Sequence, residues 1–189
     1  MRITGGQARG IPLKVPSVTK IRPATDLCRQ ACFSSLGDRV SGARILDLFS
    51  GTGAYGIEAL SRNAKSCVFV DNNYQAVQCI KHNIRSLKKS LQVESLSVDI
   101  FQQDALKWLK NSIQEFDFIF IDPPYFFYSQ EKLFLYKIFD NFSRKALQAT
   151  FIIEGPSELS TLVHPSIRCE KVLGKGKKSP RIWILEQLA

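Results

Sequence analysis

Five short apolar runs, separated by stretches long enough for helices, constrain the fold of this 189-residue chain more than any other feature. They cover residues 44–49, 67–71, 96–101, 116–121 and 150–154. Strands that are buried on both faces are almost continuously apolar, and parallel strands need long crossover connections, which are usually helices. The pattern therefore predicts an α/β protein with a mostly parallel sheet between two layers of helices.

Helical periodicity fills the intervals between these runs. Residues 76–87 show one apolar stripe, and Leu106, Leu109 and Ile113 are spaced as a second. A helix over about residues 25–36 is predicted after Pro23, with Leu27 on its core-facing side. Residues 170–173 and 181–185 predict two further strands around a basic turn at 174–180, so we expect an antiparallel hairpin to complete the sheet.

Length and composition favour one cytoplasmic domain. We expect a single domain over 1–189, with residues 1–43 as an N-terminal extension and 44–189 as the core. No apolar run reaches the roughly 20 residues of a membrane helix, and the first residues do not resemble a signal peptide. Five cysteines without a CxxC pair and two histidines predict reduced thiols and no metal site.

Positive charge is concentrated at the two ends of the chain. The net charge is +9, yet residues 45–163 hold twelve Lys or Arg against thirteen acids. Residues 1–44 hold eight basic side chains against two acids, and residues 164–189 hold six against two. A neutral body with basic flanks is typical of an enzyme that binds a polyanion, although solubility alone explains such a surface about as well.

A glycine-rich loop follows the first apolar run. Gly51, Gly53 and Gly56 satisfy the pattern G-x-G-x-x-G between a predicted strand and a predicted helix. Asp71 lies 20 residues after Gly51, where an acid binds the ribose hydroxyls of a nucleotide-like cofactor. Glycine lets the backbone approach such a ligand closely, so the loop predicts a nucleotide-like cofactor.

Two acids favour S-adenosylmethionine over a dinucleotide. Asp47 lies inside the first apolar run, where a buried carboxylate needs a partner. The amine-bearing, cationic methionine end of S-adenosylmethionine would supply that partner, whereas a pyrophosphate would be repelled. Asp104, before Ala105, is placed to recognise the adenine amine or, alternatively, to cap the following helix. The predicted cofactor contacts are Asp47, Gly51, Thr52, Gly53, Asp71, Asn72, Asp104 and Ala105.

The sequence Asp122-Pro123-Pro124-Tyr125 ends the most apolar run. Ligands of open parallel sheets bind beyond the carboxyl ends of the strands, near the point where strand order reverses. The prolines offer carbonyls and no N–H group. The Asp122 carboxylate and the Pro123 carbonyl can therefore accept both hydrogens of an exocyclic amine, while Tyr125 stacks on its base. We predict Asp122, Pro123 and Tyr125 as catalytic residues; a plain strand-ending turn is the alternative.

Taken together, these motifs resemble the RsmD family of 16S rRNA guanine-N2 methyltransferases. The resemblance rests on residues 2–10, 22–26, 46–53, 56–62 and 122–125, and it extends over essentially the whole chain. It implies the Rossmann-like class I methyltransferase fold, S-adenosyl-L-methionine as cofactor, and a guanine N2 in 16S rRNA of the assembling 30S subunit as acceptor. A monomer without metal or membrane association is expected.

The resemblance also implies a nucleic-acid surface. Arg22, Thr25 and Arg29 would lie near the mouth of the site, and Arg9 belongs to the shared opening segment. We expect phosphate contacts from the basic turn as well, through Lys175, Lys177 and Lys178. Gln30 and the pair Leu27-Cys28 depart from the usual family residues, so roles on that helix face do not transfer directly.

Other functions remain compatible with the residues alone. An amine clamp also suits adenine-N6 methylation of DNA or RNA, and methylation of a protein glutamine amide, although that last group usually has Asn at the position of Asp122. From other classes, an NAD-binding oxidoreductase and a non-catalytic RNA-binding module are possible. His82 and His164 show no proton-relay context that would favour the oxidoreductase.

Overall fold

The computed structural model describes most of the chain: residues 1–16, 26–124, 127–128, 133–144, 148–156, 159, 164–174 and 181–188. Six residues of the predicted site and nucleic-acid surface lie outside these ranges: Arg22, Thr25, Tyr125, Lys175, Lys177 and Lys178. No helix among the described residues has the length and hydropathy required to cross a membrane.

A seven-stranded sheet forms the centre of the molecule. Its spatial order is β3-β2-β1-β4-β5-β7-β6. β1 to β5 are parallel, whereas β7 is antiparallel to both β5 and β6, so the predicted C-terminal hairpin is confirmed. The strands are β1 Arg44–Leu48, β2 Ser66–Asp71, β3 Val98–Gln102, β4 Phe118–Ile121, β5 Thr150–Gly155, β6 Ile167–Leu173 and β7 Arg181–Gln187.

Helices cover both faces of this sheet. Alternate side chains of each strand pack into two separate apolar clusters, one on each face. The helices are α1 Asp26–Leu36, α2 Ala54–Ser61, α3 Tyr74–Leu91, α4 Ala105–Asn111 and α5 Phe134–Arg144, with a 3-10 turn at Gly37–Val40. The predicted α/β class is therefore confirmed, with a mostly parallel sheet and an antiparallel end.

Two details of the helix predictions are wrong. α4 ends at Asn111, so Ile113 lies beyond it and is 86% exposed, and Trp108 packs inward beside Leu109 instead. Leu27 is 77% exposed, because α1 turns Cys32, Phe33 and the side chain of Arg29 towards the core. The stripe of α3 is buried as predicted.

Residues 1–16, here called the N-terminal segment, pack against α2 and α3. A bridge between Arg2 and Pro12 closes a short antiparallel loop, supported by the bond from the Ile3 N–H to the Ile11 carbonyl at 2.9 Å. Ser61 of α2 fixes this loop, accepting from the Ala8 N–H at 3.0 Å and donating to the Gly5 carbonyl at 2.8 Å. The segment is therefore part of the folded body.

Candidate active site at the carboxyl ends of the strands

The strand order reverses between β1 and β4, which are parallel neighbours. Leu48 is paired with Ile121 across this boundary, so the loop after β1 and the turn after β4 begin side by side. The same edge carries the ends of β2 and β5. This is the crevice in which open α/β sheets bind their ligands.

The cofactor loop, residues 49–53, turns sharply from β1 into α2. Gly51 and Gly53 have φ angles of 54° and 75°, and Gly53 is the residue that precedes α2. A Cβ on Gly53 would lie 3.1 Å from Ile80 and 3.2 Å from Ile57 and Phe69. The left-handed conformation therefore favours glycine here, and a Cβ would in addition press against these three core side chains.

Asp71 supports this loop from the end of β2. Its Oδ2 accepts from the Gly51 N–H at 2.7 Å, and its Oδ1 accepts from the Asn73 N–H at 2.8 Å. Each carboxylate oxygen retains a second lone pair for a ligand. Burial raises the pKa of Asp71, while the two backbone N–H groups oppose that shift. The geometry is therefore compatible with ribose binding next to the glycine loop.

Asp47 lies beneath the same loop and is only 2% exposed. Its Oδ2 accepts from the Gly56 N–H of α2 at 2.9 Å. Burial raises the pKa of Asp47 to about 8, and nearby Asp71 adds to that shift while the Gly56 bond opposes it. Over the described residues no cation neutralises this carboxylate, so its ionised form would be stabilised by a cationic ligand.

Asp122 completes a group of carboxylates at the reversal point. It is half-buried, and among the described residues none donates a hydrogen bond to it. Burial raises the pKa of Asp122 well above its usual range, and the charges of Glu154 and Asp47 raise it further. Pro123 is buried and Pro124 is exposed, and neither can supply an N–H group. Asp122 therefore lies at the crevice as an acceptor to which none of the described residues donates.

The sequence predictions missed Glu154 and Tyr55. Glu154 is 9% exposed near the end of β5, beside the β4 end that carries Asp122, and its Oε2 accepts from the Tyr55 hydroxyl at 2.7 Å. The Tyr55 ring stacks on Phe120 at a centroid distance of 5.0 Å. The signal was present in the sequence, because Glu154 ends an apolar run in the same way as Asp122.

The remaining predicted cofactor residues lie along the same edge. Thr52 and Ala105 are buried, Asn72 is exposed, and Asp104 is half-buried at the start of α4. Asp104 caps that helix, accepting from the Lys107 N–H at 2.9 Å. The capping alternative is thus realised for Asp104, and its second oxygen leaves adenine recognition open as a prediction.

Arg29 requires a correction. It was expected at the mouth of the site, but its side chain is fully buried. It donates to the Arg2 carbonyl and to Asp26 Oδ1, the latter at 2.9 Å, and its Nε lies 4.0 Å from Glu58 Oε2. A buried guanidinium between these groups holds the N-terminal segment on α2 and cannot contact an RNA phosphate. Arg9 is exposed and is available for such a contact.

The arrangement fits S-adenosylmethionine. The left-handed turns at Gly51 and Gly53 lead the backbone sharply from β1 into α2 at the edge of the crevice. Asp71 offers acceptors for ribose hydroxyls, and the spare oxygen of Asp47 offers one for the methionine ammonium group. Within the described ranges, no group of three His, Cys, Asp or Glu side chains could hold a metal ion.

Sequence comparison agrees with this geometry. The family described as Conserved hypothetical protein 95 matches residues 1–168. A Bacillus subtilis protein named "Putative rRNA methyltransferase YlbH" is 37% identical over 128 residues, which are 66% of this chain and 67% of that protein. The Escherichia coli protein named "Ribosomal RNA small subunit methyltransferase D" is 33% identical over 125 residues, which span 66% of this chain and 60% of that protein.

Structural comparison supports the fold. The structure titled "Putative methyltransferase yhhF from Escherichia coli" superimposes with a TM-score of 0.80 at 24% identity, covering 100% of this chain and 98% of the other. The structure titled "Crystal structure of SMU.776, a putative methyltransferase complexed with SAH" gives a TM-score of 0.65 at 13% identity, over 85% of this chain and 48% of the other. The fold is that of the class I methyltransferases. On the match over residues 1–168, the chain belongs to the family of Conserved hypothetical protein 95, which is the RsmD family.

Proposed function

We propose that this protein methylates the exocyclic N2 amine of a guanine in 16S rRNA, with S-adenosylmethionine as the methyl donor. One observation carries the amine part of the proposal. Asp122 presents a half-buried carboxylate at the strand reversal, without a hydrogen-bond donor among the described residues. An exocyclic amine supplies two N–H groups, which the Asp122 carboxylate and the Pro123 carbonyl can accept together.

These acceptors would set up the reaction by orienting the amine. S-adenosylmethionine supplies an electrophilic methyl group on a cationic sulfonium. Holding both N–H groups directs the nitrogen lone pair of the base towards that methyl group, and such positioning accounts for much of the rate. As the N–C bond forms and the C–S bond breaks, the surplus amine proton passes to Asp122. The raised pKa of Asp122 makes it a suitable acceptor for that proton.

Asp47 and Asp71 would hold the two ends of the donor. Asp47 faces the methionine ammonium with its spare oxygen, and Asp71 binds the ribose hydroxyls while supporting Gly51. Asn72, Thr52, Asp104 and Ala105 would supply the remaining contacts to the donor. Binding of a cationic donor would explain why a protein of net charge +9 has the buried carboxylate of Asp47 at the carboxyl end of its central strand.

The basic flanks would bind the RNA. Arg9 and Lys14 are exposed on the N-terminal segment, and Arg22, Thr25, Lys175, Lys177 and Lys178 extend the predicted surface. A guanine within a stacked RNA must be flipped out of its stack to reach Asp122, and Tyr125 would receive its ring. The substrate is an assembling 30S subunit in the cytoplasm, and the enzyme acts as a monomer.

Labelled methyl transfer tests the proposed function. The wild-type protein is incubated with labelled S-adenosylmethionine and either unmodified 16S rRNA or unmodified 30S particles, and the products are digested to nucleosides. The proposal predicts N2-methylguanosine from at least one substrate. N6-methyladenosine would favour the adenine alternative, and incorporation into protein alone would refute an RNA substrate.

A further inference from the structure

The buried side chain of Asn83 joins two segments that are far apart in the sequence. Asn83 lies on the core-facing side of α3 and is 1% exposed. Its Nδ2 donates to the Lys14 carbonyl and to the Thr52 carbonyl, both at 3.0 Å. Its Oδ1 accepts from the Lys14 N–H at 2.7 Å. Both N–H groups of the amide are therefore used, one on the N-terminal segment and one on the cofactor loop.

Lys14 lies at the point where the N-terminal segment leaves its short closed loop. It follows the short loop that is closed by the bond from the Leu13 N–H to the Met1 carbonyl at 3.1 Å. In the sequence, Lys14 lies eight residues before Arg22. The Asn83 side chain makes hydrogen bonds to both the backbone N–H and the backbone carbonyl of Lys14. Because the same side chain also binds the Thr52 carbonyl, the backbone of Lys14 is fixed relative to Thr52.

A second contact links the same two segments. The Thr52 hydroxyl lies 3.5 Å from the sulfur of Met1 and donates to it. Movement of the cofactor loop at Thr52 would therefore disturb the N-terminal segment at two places, directly at Met1 and through Asn83 at Lys14. By contrast, Ser61 holds the N-terminal segment on α2 through Gly5 and Ala8 without a contact to Thr52.

The side-chain amide of Asn83 is buried in an apolar part of the core. The other buried positions near it on α3 are apolar, including Ile80, Ile84 and Leu87. A buried amide lowers stability unless its hydrogen bonds are made, so its partners must stay in place together. If either Lys14 or Thr52 moves away, a donor of Asn83 loses its acceptor inside the core. The two segments thus favour each other's ordered positions.

We propose that Asn83 is a positioning residue that couples ligand binding at the cofactor loop to the order of the N-terminal segment. The inference deepens the proposed function, on which it rests for the identity of the ligand and of the RNA. A ligand that orders Thr52 would also order Lys14, and RNA held by the N-terminal segment would favour the ligand-ready loop. Such coupling is reciprocal for binding free energies.

Hydrogen exchange with S-adenosylhomocysteine as the probe tests the coupling without RNA or turnover. The informative amides are Ile3, Gly10 and Leu13, because their acceptors lie within the N-terminal segment and remain in an Asn83 variant. In the wild type, saturating S-adenosylhomocysteine should slow their exchange by about fivefold or more, the lower end of typical coupling. In Asn83→Ala this slowing should fall below about twofold at equal saturation.

Ser61→Ala is the matched control. It removes a buried side chain that also bridges two backbone groups of the N-terminal segment but does not contact the cofactor loop. Its basal exchange should be faster, while the slowing by S-adenosylhomocysteine persists. Asn83→Leu retains side-chain volume and serves if Asn83→Ala fails to fold.

The outcomes separate the coupling from the proposed function. If S-adenosylhomocysteine does not bind the wild type, the proposed cofactor and the coupling fall together. If it binds but leaves the three amides unchanged, or slows them equally in the Asn83 variants, the coupling alone is wrong. RNA affinity provides a second readout: S-adenosylhomocysteine should tighten 16S rRNA binding by about fivefold or more in the wild type and by less than about twofold in the Asn83 variants.

Discussion

Replacing Glu58 with Gln should destabilise the fold through the N-terminal segment. Glu58 of α2 is 1% exposed. Its Oε2 accepts from the Thr4 N–H at 2.7 Å, and its Oε1 accepts from the Thr4 hydroxyl at 2.8 Å and from Arg62 Nη2 at 3.0 Å. Arg29, which is fully buried, lies 4.0 Å from Oε2. In either orientation, the amide of Gln places an NH2 group against one set of these donors.

The size of the stability loss depends on how well Arg29 and Arg62 remain neutralised without the Glu58 charge. Breaking a buried ion pair by removing one partner costs about 3–5 kcal/mol. Arg29 keeps Asp26 as a partner at 2.9 Å, and Arg62 is 24% exposed, so the lower end applies. We therefore expect a loss of about 3 kcal/mol in the free energy of unfolding. For a domain of this length, that corresponds to a fall of about 6–12 °C in Tm.

Urea unfolding followed by circular dichroism measures this loss. The midpoint should fall by about 1 M or more, with the slope unchanged. Glu115→Gln is the control, because Glu115 pairs with Arg44 at 2.8 Å but is 61% exposed, and an exposed pair contributes at most about 1 kcal/mol. If Glu58→Gln also stayed within about 1 kcal/mol of the wild type, the buried network would not hold the N-terminal segment as described.

Three further outcomes follow from the site and its support. Because burial raises the pKa of Asp47 to about 8, S-adenosylmethionine affinity should rise with pH from 6 to 8, and Asp47→Asn should abolish that rise in calorimetric titrations. Asp71→Ala should weaken S-adenosylhomocysteine binding by about tenfold or more, since hydrogen bonds to a charged group contribute about 1.5–3 kcal/mol; unchanged affinity would remove its ribose role. In Gly56→Ala the new Cβ would lie 2.4 Å from Phe69 and 2.5 Å from Cys67. Such overpacking should lower the free energy of unfolding, measured in urea, by about 1–3 kcal/mol. Wild-type stability would show instead that α2 can move away from β2 at little cost.

The stability of the fold should depend on pH through Asp47 in the opposite direction to the ligand affinity. In the unfolded chain its pKa is near 3.8, and in the fold it is about 8. The folded state therefore binds the proton more tightly, so its contribution favours folding below about pH 4 and is lost as pH rises towards 8. Asp47→Asn should flatten this decline.

The central strands could be predicted from the sequence because their burial is expressed locally. A strand covered on both faces is apolar at nearly every position, and β1, β2, β4 and β5 all show this pattern. The glycine loop and Asp122 could be placed for the same reason, since each directly follows such a strand. Their adjacency then followed from the usual strand order of doubly wound sheets.

The remaining features depend on partners that lie far away in the sequence. Arg29 is buried because Glu58 and the Arg2 carbonyl surround it, and neither contact is visible in the sequence around α1. Asn83 is buried for a similar reason, through Lys14 and Thr52. The spacing of Ile113 suggested a longer helix, but α4 ends two residues earlier. Local periodicity therefore identifies elements better than it identifies their ends or their buried polar contacts.

Single-turnover methyl transfer to unmodified 16S rRNA by Asp122 variants tests the central claim most directly. Asp122→Asn retains a carbonyl acceptor without charge, and Asp122→Ala removes both, so rates should fall in the order wild type, Asn, Ala. The Ala variant should lose about 100-fold or more, as expected for a residue in general acid–base catalysis. S-adenosylhomocysteine affinity, measured in parallel, should stay within about threefold of the wild type, well under the tenfold that 1.4 kcal/mol would produce.

The pH dependence of the same reaction adds a second criterion. Because burial and the charges of Glu154 and Asp47 raise the pKa of Asp122, the wild-type rate at saturating donor should rise with pH as the carboxylate ionises. Asp122→Asn should be slow and should lack this rise. Near wild-type rates in Asp122→Ala, or the same pH profile in Asp122→Asn, would contradict the role of Asp122 as the group that holds and deprotonates the amine.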